Sequence, residues 1–527
     1  MALLSLLLCV VGVAYADDAL TAKELLGRKI YRDGNDGSGN EITAILGGDA
    51  QEPVPATMFA CANCHGLEGE GKQEGGLSVP ALTPQHLFSK AQPNSPAKKN
   101  YDESTLIRAI STGIDAHNKP LSATMPRYGL SAYQAQALLA YLSQLGSTKD
   151  VDVGVTGSEV QLGTVLPLTG PQAAIGKLLK ATMDACIADL NSHGLIYGRK
   201  VTLTVLDSGS TKAETLATTR RLIFETKPFA LISGYFPEID ADLYELLVQE
   251  NLPVIAPLSF VPNESPSASA SVFYFLPSYA DQSRALVDYW LAQLPKDNIA
   301  AKPKLAIVYS DRASNVNVAA AIRGQLQGHN LNVIAEIVLP QTNSKPALNQ
   351  ATRLQAAKPE AIFFLGATQD LQEFNEIITK TDHQPVLLGL LAMLGAGVTD
   401  IPNLTMTKML LATPFNLNQL GLKQFAAMLN QHSVNLQSSG LQRIACSAVN
   451  FVAEGLKRAG KRLSRGKFIQ ALAEIKKFPV DIMPPLQFDP NNRQGVRGAY
   501  ILTVDTKSSS LAPQPSAWVT PSDTLHD

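Results

Sequence analysis

From Glu159 onward the chain alternates short β-branched runs with longer amphipathic stretches, and this alternation constrains its fold more than any other feature. Strands are predicted at 160–166, 200–206, 230–232 and 254–256, with helices at 177–193, 211–226 and 240–250 between them. After Phe273-Tyr274-Phe275 the cycle restarts. Helices are predicted at 281–294, 316–328, 347–357 and 370–379, alternating with strands at 304–309, 332–338 and 361–365. A helix between two strands is the crossover that parallel pairing requires, so this region reads as βαβ units. The expected architecture is two parallel-sheet lobes with a cleft between them.

The remaining constraints are compositional. A chain of 527 residues has room for three to four domains of about 150 residues. With 45% hydrophobic and 17% charged residues, large cores are available and wholesale disorder is excluded. Lys plus Arg number 44 against 46 Asp plus Glu, which removes the basic footprint of a nucleic-acid-binding protein. Residues 1–16 (MALLSLLLCVVGVAYA) form a short apolar stretch ending in Ala14-Tyr15-Ala16, the pattern of a cleaved export signal. Cleavage after Ala16 and a periplasmic location are expected. No later apolar run reaches the roughly 20 residues of a membrane span, so none is expected in the mature chain. Removing the signal and Cys9 leaves Cys61, Cys64, Cys186 and Cys446. Cys186 and Cys446 each lie in an apolar helical pattern and read as small buried hydrophobes, a bridge between them being the alternative.

The strongest chemical signal is Cys61-Ala62-Asn63-Cys64-His65, the C-x-x-C-H signature of c-type haem attachment. Two thiols three residues apart on one helical turn point the same way, toward the two vinyl groups of one haem. His65 then lies beneath the iron as an axial ligand. A thioredoxin-like thiol pair is the competing reading, and an exported chain favours haem.

The flanks resemble the single-haem cytochrome c family with a Met axial ligand. The resemblance rests on Phe59 to Gly66, on Glu68-Gly69-Glu70-Gly71, and on Ala123-Thr124-Met125-Pro126-Arg127-Tyr128 about sixty residues later. It implies an all-α domain, one covalent haem c held by Cys61 and Cys64, and iron ligation by His65 and Met125. His86 and His117 are rival sixth ligands that read as surface histidines, and Met58 is too close to Cys61 to reach the opposite face. The segment 20–33 resembles the family's N-terminal helix, and 131–146, with a Ser N-cap and a terminal Gly, its C-terminal helix. With both axial positions filled, one-electron transfer is the implied chemistry.

Residues 158–510 resemble the type I periplasmic solute-binding proteins of the branched-chain amino-acid receptor branch. The motifs in order are Gly163 to Gly170, Leu252 to Pro257, Phe273 to Gln282, Lys358 to Ile362, and Phe488-Asp489-Pro490-Asn491. The implied boundaries are a cytochrome domain at 17–147, a polar linker at 148–157, and a loose Ser/Pro-rich tail at 511–527. Lobe one is expected at 158–276 with 406–478, and lobe two at 277–405 with 479–510. Ligands of α/β sheets bind beyond the carboxyl ends of strands, which nominates Thr169, Tyr235, Phe236, Ser259, Phe260, Tyr279, Asp311 and Thr368. Ser259 and Thr368 are expected to present hydroxyls at helix N-termini, and Tyr235, Phe236 and Tyr279 an aromatic wall. Tyr235-Phe236-Pro237-Glu238 stands where amino-acid receptors usually offer Ser or Thr, which argues against an amino-acid ligand.

No P-loop, nucleophile elbow, H-E-x-x-H or Rossmann glycine pattern appears, so an enzyme is not expected. The leading reading is a periplasmic electron carrier fused to a small-molecule receptor, serving a redox partner such as a dehydrogenase or another cytochrome. Two alternatives stand: an importer's receptor, with an ABC permease as partner and the haem as redox sensor, and a docking scaffold without a small ligand.

Overall fold

The computed structural model describes residues 20–37, 41–46, 52–74, 77–88, 101–147, 149–150, 152–235, 241–261, 271–295, 302–339, 353–354, 356–378, 384–395, 397–398, 401, 408–416, 421–505, 510–513 and 517–522. The expected signal peptide and Phe236 lie outside these residues. The chain divides into two compact units, 1–152 and 153–527.

The first unit is mainly helical, with helices Ala22–Asp33, Cys61–His65, Pro84–Phe88, Glu103–Thr112 and Ala132–Leu142. The first and last of these start on capping boxes, Thr21 with Glu24 and Ser131 with Gln134. They cross at Gly27, where an added Cβ would fall 2.0 Å from the Ala137 carbonyl oxygen, so only glycine permits that approach. Tyr31, Leu138, Tyr141 and Leu142 bury themselves around the crossing. The strands here are short: β1 (Thr43–Ile45), β2 (Val54–Pro55), β3 (Lys72–Glu74), β4 (Leu77–Val79) and β5 (Arg127–Gly129). β1 pairs antiparallel with both β2 and β5, and the Ala44–Tyr128 register fixes the chain just after Met125.

The second unit holds two sheets. The first contains β6 (Glu159–Leu166), β7 (Lys200–Asp207), β8 (Ala230–Ile232), β9 (Val254–Ile255) and β10 (Val272–Phe273) in the order β7-β6-β8-β9-β10, all parallel. The second contains β11 (Leu305–Ser310), β12 (Val333–Leu339), β13 (Ala361–Leu365), β14 (Val386–Leu390), β15 (Met409–Thr413), β16 (Tyr500–Asp505) and β17 (Ser510–Pro513). Its order is β12-β11-β13-β14-β15-β16-β17, with the last two strands antiparallel. Both sheets therefore repeat the doubly wound order 2-1-3-4-5. Core residues cover both faces of the second sheet, as continuous apolar strands such as Ala361–Leu365 require.

Four sequence expectations change. β15, assigned to lobe one, hydrogen-bonds to β14 in the second sheet. Its apolar run (MLLAT) identifies a buried strand but carries no mark of which sheet it joins. The described residues of the tail are not loose: β17 extends the second sheet, Val519 pairs with Ala499, and Ser522 N donates to Asp288 at 2.7 Å. The expected linker is anchored, since Asp150 and Asp152 pair with Arg32 and Arg28 of the first unit, while Gly154 O accepts from Gln161 in the second. Finally, Cys186 and Cys446 are bridged. Their helices, Ala173–Ser192 and Ser439–Ala459, pack side by side, so two cysteines that each look like core filler meet across 260 residues.

Candidate functional site

The first site is the turn Cys61–His65. Helical spacing puts Cys61 and Cys64 on one turn, and the two thiols are not bridged to each other. Burial pushes the Cys61 thiol up to about 11, with the Tyr128 phenol acting in the opposite sense. The loop that follows folds back on itself through Gly71 N to His65 O (2.8 Å) and Leu82 N to Gly69 O (2.7 Å), bringing Pro80 beside the imidazole. His65 Nδ1 lies 2.9 Å from the Pro80 carbonyl oxygen. A carbonyl only accepts, so Nδ1 carries the proton and Nε2 keeps its lone pair. Burial lowers the His65 pKa, opposed by the Pro80 bond, and this favours the neutral, ligating imidazole.

Unbridged thiols, a buried imidazole with a fixed tautomer and an apolar surround fit a covalent haem. Cys61 and Cys64 would hold it and His65 would ligate its iron; when bound, it supplies reversible one-electron transfer. Met125 lies half-buried at the end of a turn tied down by Arg127, which donates to the Met125, Leu121 and Ser122 carbonyls. Three residues on, Tyr128 donates to Phe59 O at 2.6 Å, which ties the Met125 segment to the Cys61 turn. His86 sits within 2.9 Å of Thr83 Oγ1, and His117 is exposed. Met58 is 63% exposed.

The second site is a cavity of about 720 Å³ in the second unit. It lies where the repeated strand order predicts, at the two switch points β6/β8 and β11/β13. Thr169 and Tyr235 follow β6 and β8, Ser310 closes β11 and Arg312 follows it, and Tyr279 and Met393 complete the main walls. Gly176 lets the helix after β6 press onto this loop: an added Cβ would lie 1.9 Å from the Pro167 carbonyl oxygen. The adjacent strands β8 and β9 end on left-handed non-glycine residues, Ser233 (φ 45°) and Ala256 (φ 50°). Such strain costs about 1–3 kcal/mol each and gathers at functional ends of sheets.

The nominated residues divide. Thr169, Tyr235 and Tyr279 line the cavity. Burial, then Tyr235, pushes the Tyr279 phenol up to about 12. Phe260 stacks on Tyr279 at 4.8 Å, supporting the wall from behind. Ser259 and Thr368 do not present their hydroxyls to an anion. Ser259 Oγ bonds Val261 within its own loop, and Thr368 Oγ1 donates to Leu394 O. Asp311 is not among the lining residues, whereas its neighbour Arg312 is. Thr169 Oγ1 donates to Asp207 at 2.6 Å, and this bond leads the causes that hold the Asp207 carboxyl below its ordinary range. Sequence reasoning missed Arg312, Asn315 and Asp370. All three stand two to five residues past strand ends, so extending each nominated loop into the first helical turn would have found them.

A family model for periplasmic binding proteins matches residues 159–509, about two thirds of the chain. The chain belongs to the periplasmic binding protein family. A cytochrome c model matches 56–146, so a cytochrome c domain precedes the binding-protein fold. Leu/Ile/Val-binding protein homolog 3 of Brucella melitensis is 22% identical over 210 residues, 40% of this chain and 55% of that protein. An amino acid binding protein of Pseudomonas aeruginosa is likewise 22% identical over 210 residues, 40% of this chain and 54% of its own length. The chain thus spans about half the length of these curated relatives. Among solved structures, a putative branched-chain amino acid ABC transporter protein from Silicibacter pomeroyi shares the fold, with a TM-score of 0.56. It is 18% identical, and the match covers 70% of this chain and all of that one. A substrate binding protein from Streptococcus pneumoniae, in complex with isoleucine, has a TM-score of 0.53 at 17% identity, covering 69% of this chain and all of its own. These structures show the fold of the family.

A cytochrome c domain implies covalently bound haem c, and the family's binding proteins take small ligands. Among the described residues no helix is long and apolar enough to cross a membrane.

Proposed function

We propose that this protein is a periplasmic, single-haem electron carrier joined to a solute receptor, exported by a cleaved signal. Its cleft binds the substrate or product of a periplasmic dehydrogenase, and its cytochrome domain accepts that enzyme's electrons one at a time. Cys61 and Cys64 carry the haem, and His65 and Met125 take the two axial positions. Catalysis is assigned to the partner and not to this chain.

The observation that carries the reading is the combination, in one polypeptide, of a tautomer-fixed His65 on a C-x-x-C-H turn with a cavity at both sheet switch points. Pro80 holds the proton on Nδ1 and orients the ring, while Tyr128 fixes the approach of the Met125 segment. In the other unit the two lobes bring loops from both sheets to one cavity, the geometry of hinge closure around a solute.

Protein matured in the periplasm tests this directly. Native mass spectrometry is expected to show one haem per chain that survives acid-acetone. Periplasmic dehydrogenases are expected to reduce the full chain faster when its solute is present. Loss of haem to acid-acetone, or equal reduction of full chain and isolated cytochrome domain, sinks the proposal. The family's ABC-transporter members favour a second reading, an importer receptor with a haem redox sensor, which solute-dependent capture by a permease would establish.

A further inference from the structure

The cavity's hydrogen-bonding inventory is lopsided, and this lopsidedness identifies the chemistry of its occupant. The inference rests on reading the cleft as a solute site. Three donor groups line the cavity without a hydrogen bond or ion pair to any described residue: the Arg312 guanidinium and the phenols of Tyr235 and Tyr279. Lys212 adds a second cation to the lining. Ser310 Oγ accepts from Asn315 Nδ2 at 2.7 Å, which leaves its hydroxyl hydrogen to donate. Charged acceptors, in contrast, are few among the described lining residues. Asp370 is the only carboxylate among the described lining residues, and its Oδ2 takes Ala367 N at 2.9 Å. Asp207, just behind Thr169, already accepts from Thr169 Oγ1, Leu168 N and Gly209 N.

An α-amino acid needs acceptors for its ammonium as well as donors for its carboxylate. Here the ammonium would face the Arg312 guanidinium and one carboxylate that caps its own helix. A carboxylate without an ammonium matches these donors and pairs with the Arg312 charge. The apolar part of the lining is aromatic on one side, where Tyr279 is held flat against Phe260 at 4.8 Å and 14°, and Met393 lies among the remaining walls. A preorganised ring is a stacking platform for another ring, and a thioether suits an aromatic edge.

We propose that the cleft binds an aromatic carboxylate, its carboxyl group paired with Arg312 and its ring against Tyr235, Tyr279 and Met393, and that it discriminates against free amino acids. Arg312 is the residue that sets the class of ligand. It is exposed and takes no part in the core, so its replacement leaves the fold intact.

The test is calorimetric titration of the haem-loaded full chain with benzoate, hexanoate, benzyl alcohol and leucine, repeated on R312Q and R312K. Benzoate is expected to bind, R312Q to weaken it by about 10- to 100-fold, and R312K to recover part of that loss. Benzyl alcohol, hexanoate and leucine are each expected to bind at least tenfold more weakly than benzoate. Leucine binding as tightly as benzoate, or R312Q binding benzoate as the parent does, overturns the assignment. Equal affinity for hexanoate overturns the aromatic wall. Small-angle scattering separates this failure from failure of the receptor reading. Closure with leucine or benzyl alcohol but not benzoate refutes only the ligand class. No binding and no closure with any of the four refutes both.

Discussion

Replacing Arg32 with Gln tests what holds the end of the cytochrome unit in place. Arg32 reaches Asp150 at 3.2 Å and Asp152 at 3.1 Å, with side-chain exposures of 12%, 1% and 10% for the three residues. Burial opposes the guanidinium charge, but Tyr141, Asp152 and Asp150 outweigh it and hold the group above its ordinary range. Breaking a buried pair by removing one partner costs about 3–5 kcal/mol. Here the lower end applies, because Asp152 keeps Arg28 at 3.0 Å and Asp150 keeps Tyr141 OH (2.9 Å) and Gly146 N (3.2 Å). A loss of about 3 kcal/mol in a unit of this size lowers its melting temperature by about 6–12 °C. The assay is a thermal melt followed at the haem Soret band, which reports the cytochrome unit alone. The double variant R32Q/D150N removes the stranded carboxylate too, and is expected to cost less than the sum of its parts. A loss in R32Q below about 0.5 kcal/mol, the range of ordinary surface changes, refutes the reasoning. Strict additivity of the two substitutions does so as well.

Three further outcomes are expected. G27A places a methyl group 2.0 Å from the Ala137 carbonyl oxygen. The overlap outweighs the gain of about 1 kcal/mol in helix propensity, for a net loss of about 1–3 kcal/mol in Soret-monitored urea unfolding; a stabilised G27A contradicts the tight crossing. C186S/C446S opens a 260-residue loop and is expected to cost about 2–5 kcal/mol, matched by adding reductant to the parent protein. No effect of reductant on the parent's unfolding midpoint counts against the bridge. The depressed Asp207 carboxyl contributes stability that is present above its unfolded pKa of about 3.9 and is lost as pH falls through the lower folded value. The gap in urea midpoint between the parent and D207N is therefore full at pH 7 and shrinks toward pH 3, and a gap that is constant or widens on acidification contradicts the assignment.

The sequence disclosed what depends on local pattern. Strands β8 and β13 fall where the β-branched and aromatic runs place them, at Ala230–Ile232 and Ala361–Leu365. The helix 211–226 is present as Lys212–Arg221 followed by a wider turn at Leu222–Thr226, because Lys227 takes a left-handed conformation (φ 51°) that ends it. Local pattern could not disclose partners far apart in the chain. Nothing near Cys186 or Cys446 marks them as neighbours, and nothing in the β15 run names its sheet. The tail shows the same limit more sharply. Its Ser/Pro-rich composition reads as loose, yet Trp518 packs edge-on to Tyr500 at 5.0 Å and donates to Arg497 O. Composition measures how much a segment can bury alone and is blind to an edge strand already waiting for it.

The cleft residues show why side-chain roles are harder to read than loops. Both sheets share one strand order, so the switch-point rule places the binding loops from topology alone, and the cavity is lined by the loops it names. Which hydroxyl within a loop is free depends on the acceptors that the fold brings beside it. Ser259, Thr368 and Thr169 each bond within the protein, to Val261 O, Leu394 O and Asp207, and short hydroxyl side chains readily take such nearby acceptors. Arg312 is the converse case. Its long side chain stands at the start of the helix Ala313–Gly328, and no described residue answers its charge. An exposed guanidinium that no described residue pairs, at the rim of a 720 Å³ cavity, is the feature on which the proposed carboxylate ligand stands, and R312Q is the substitution that tests it.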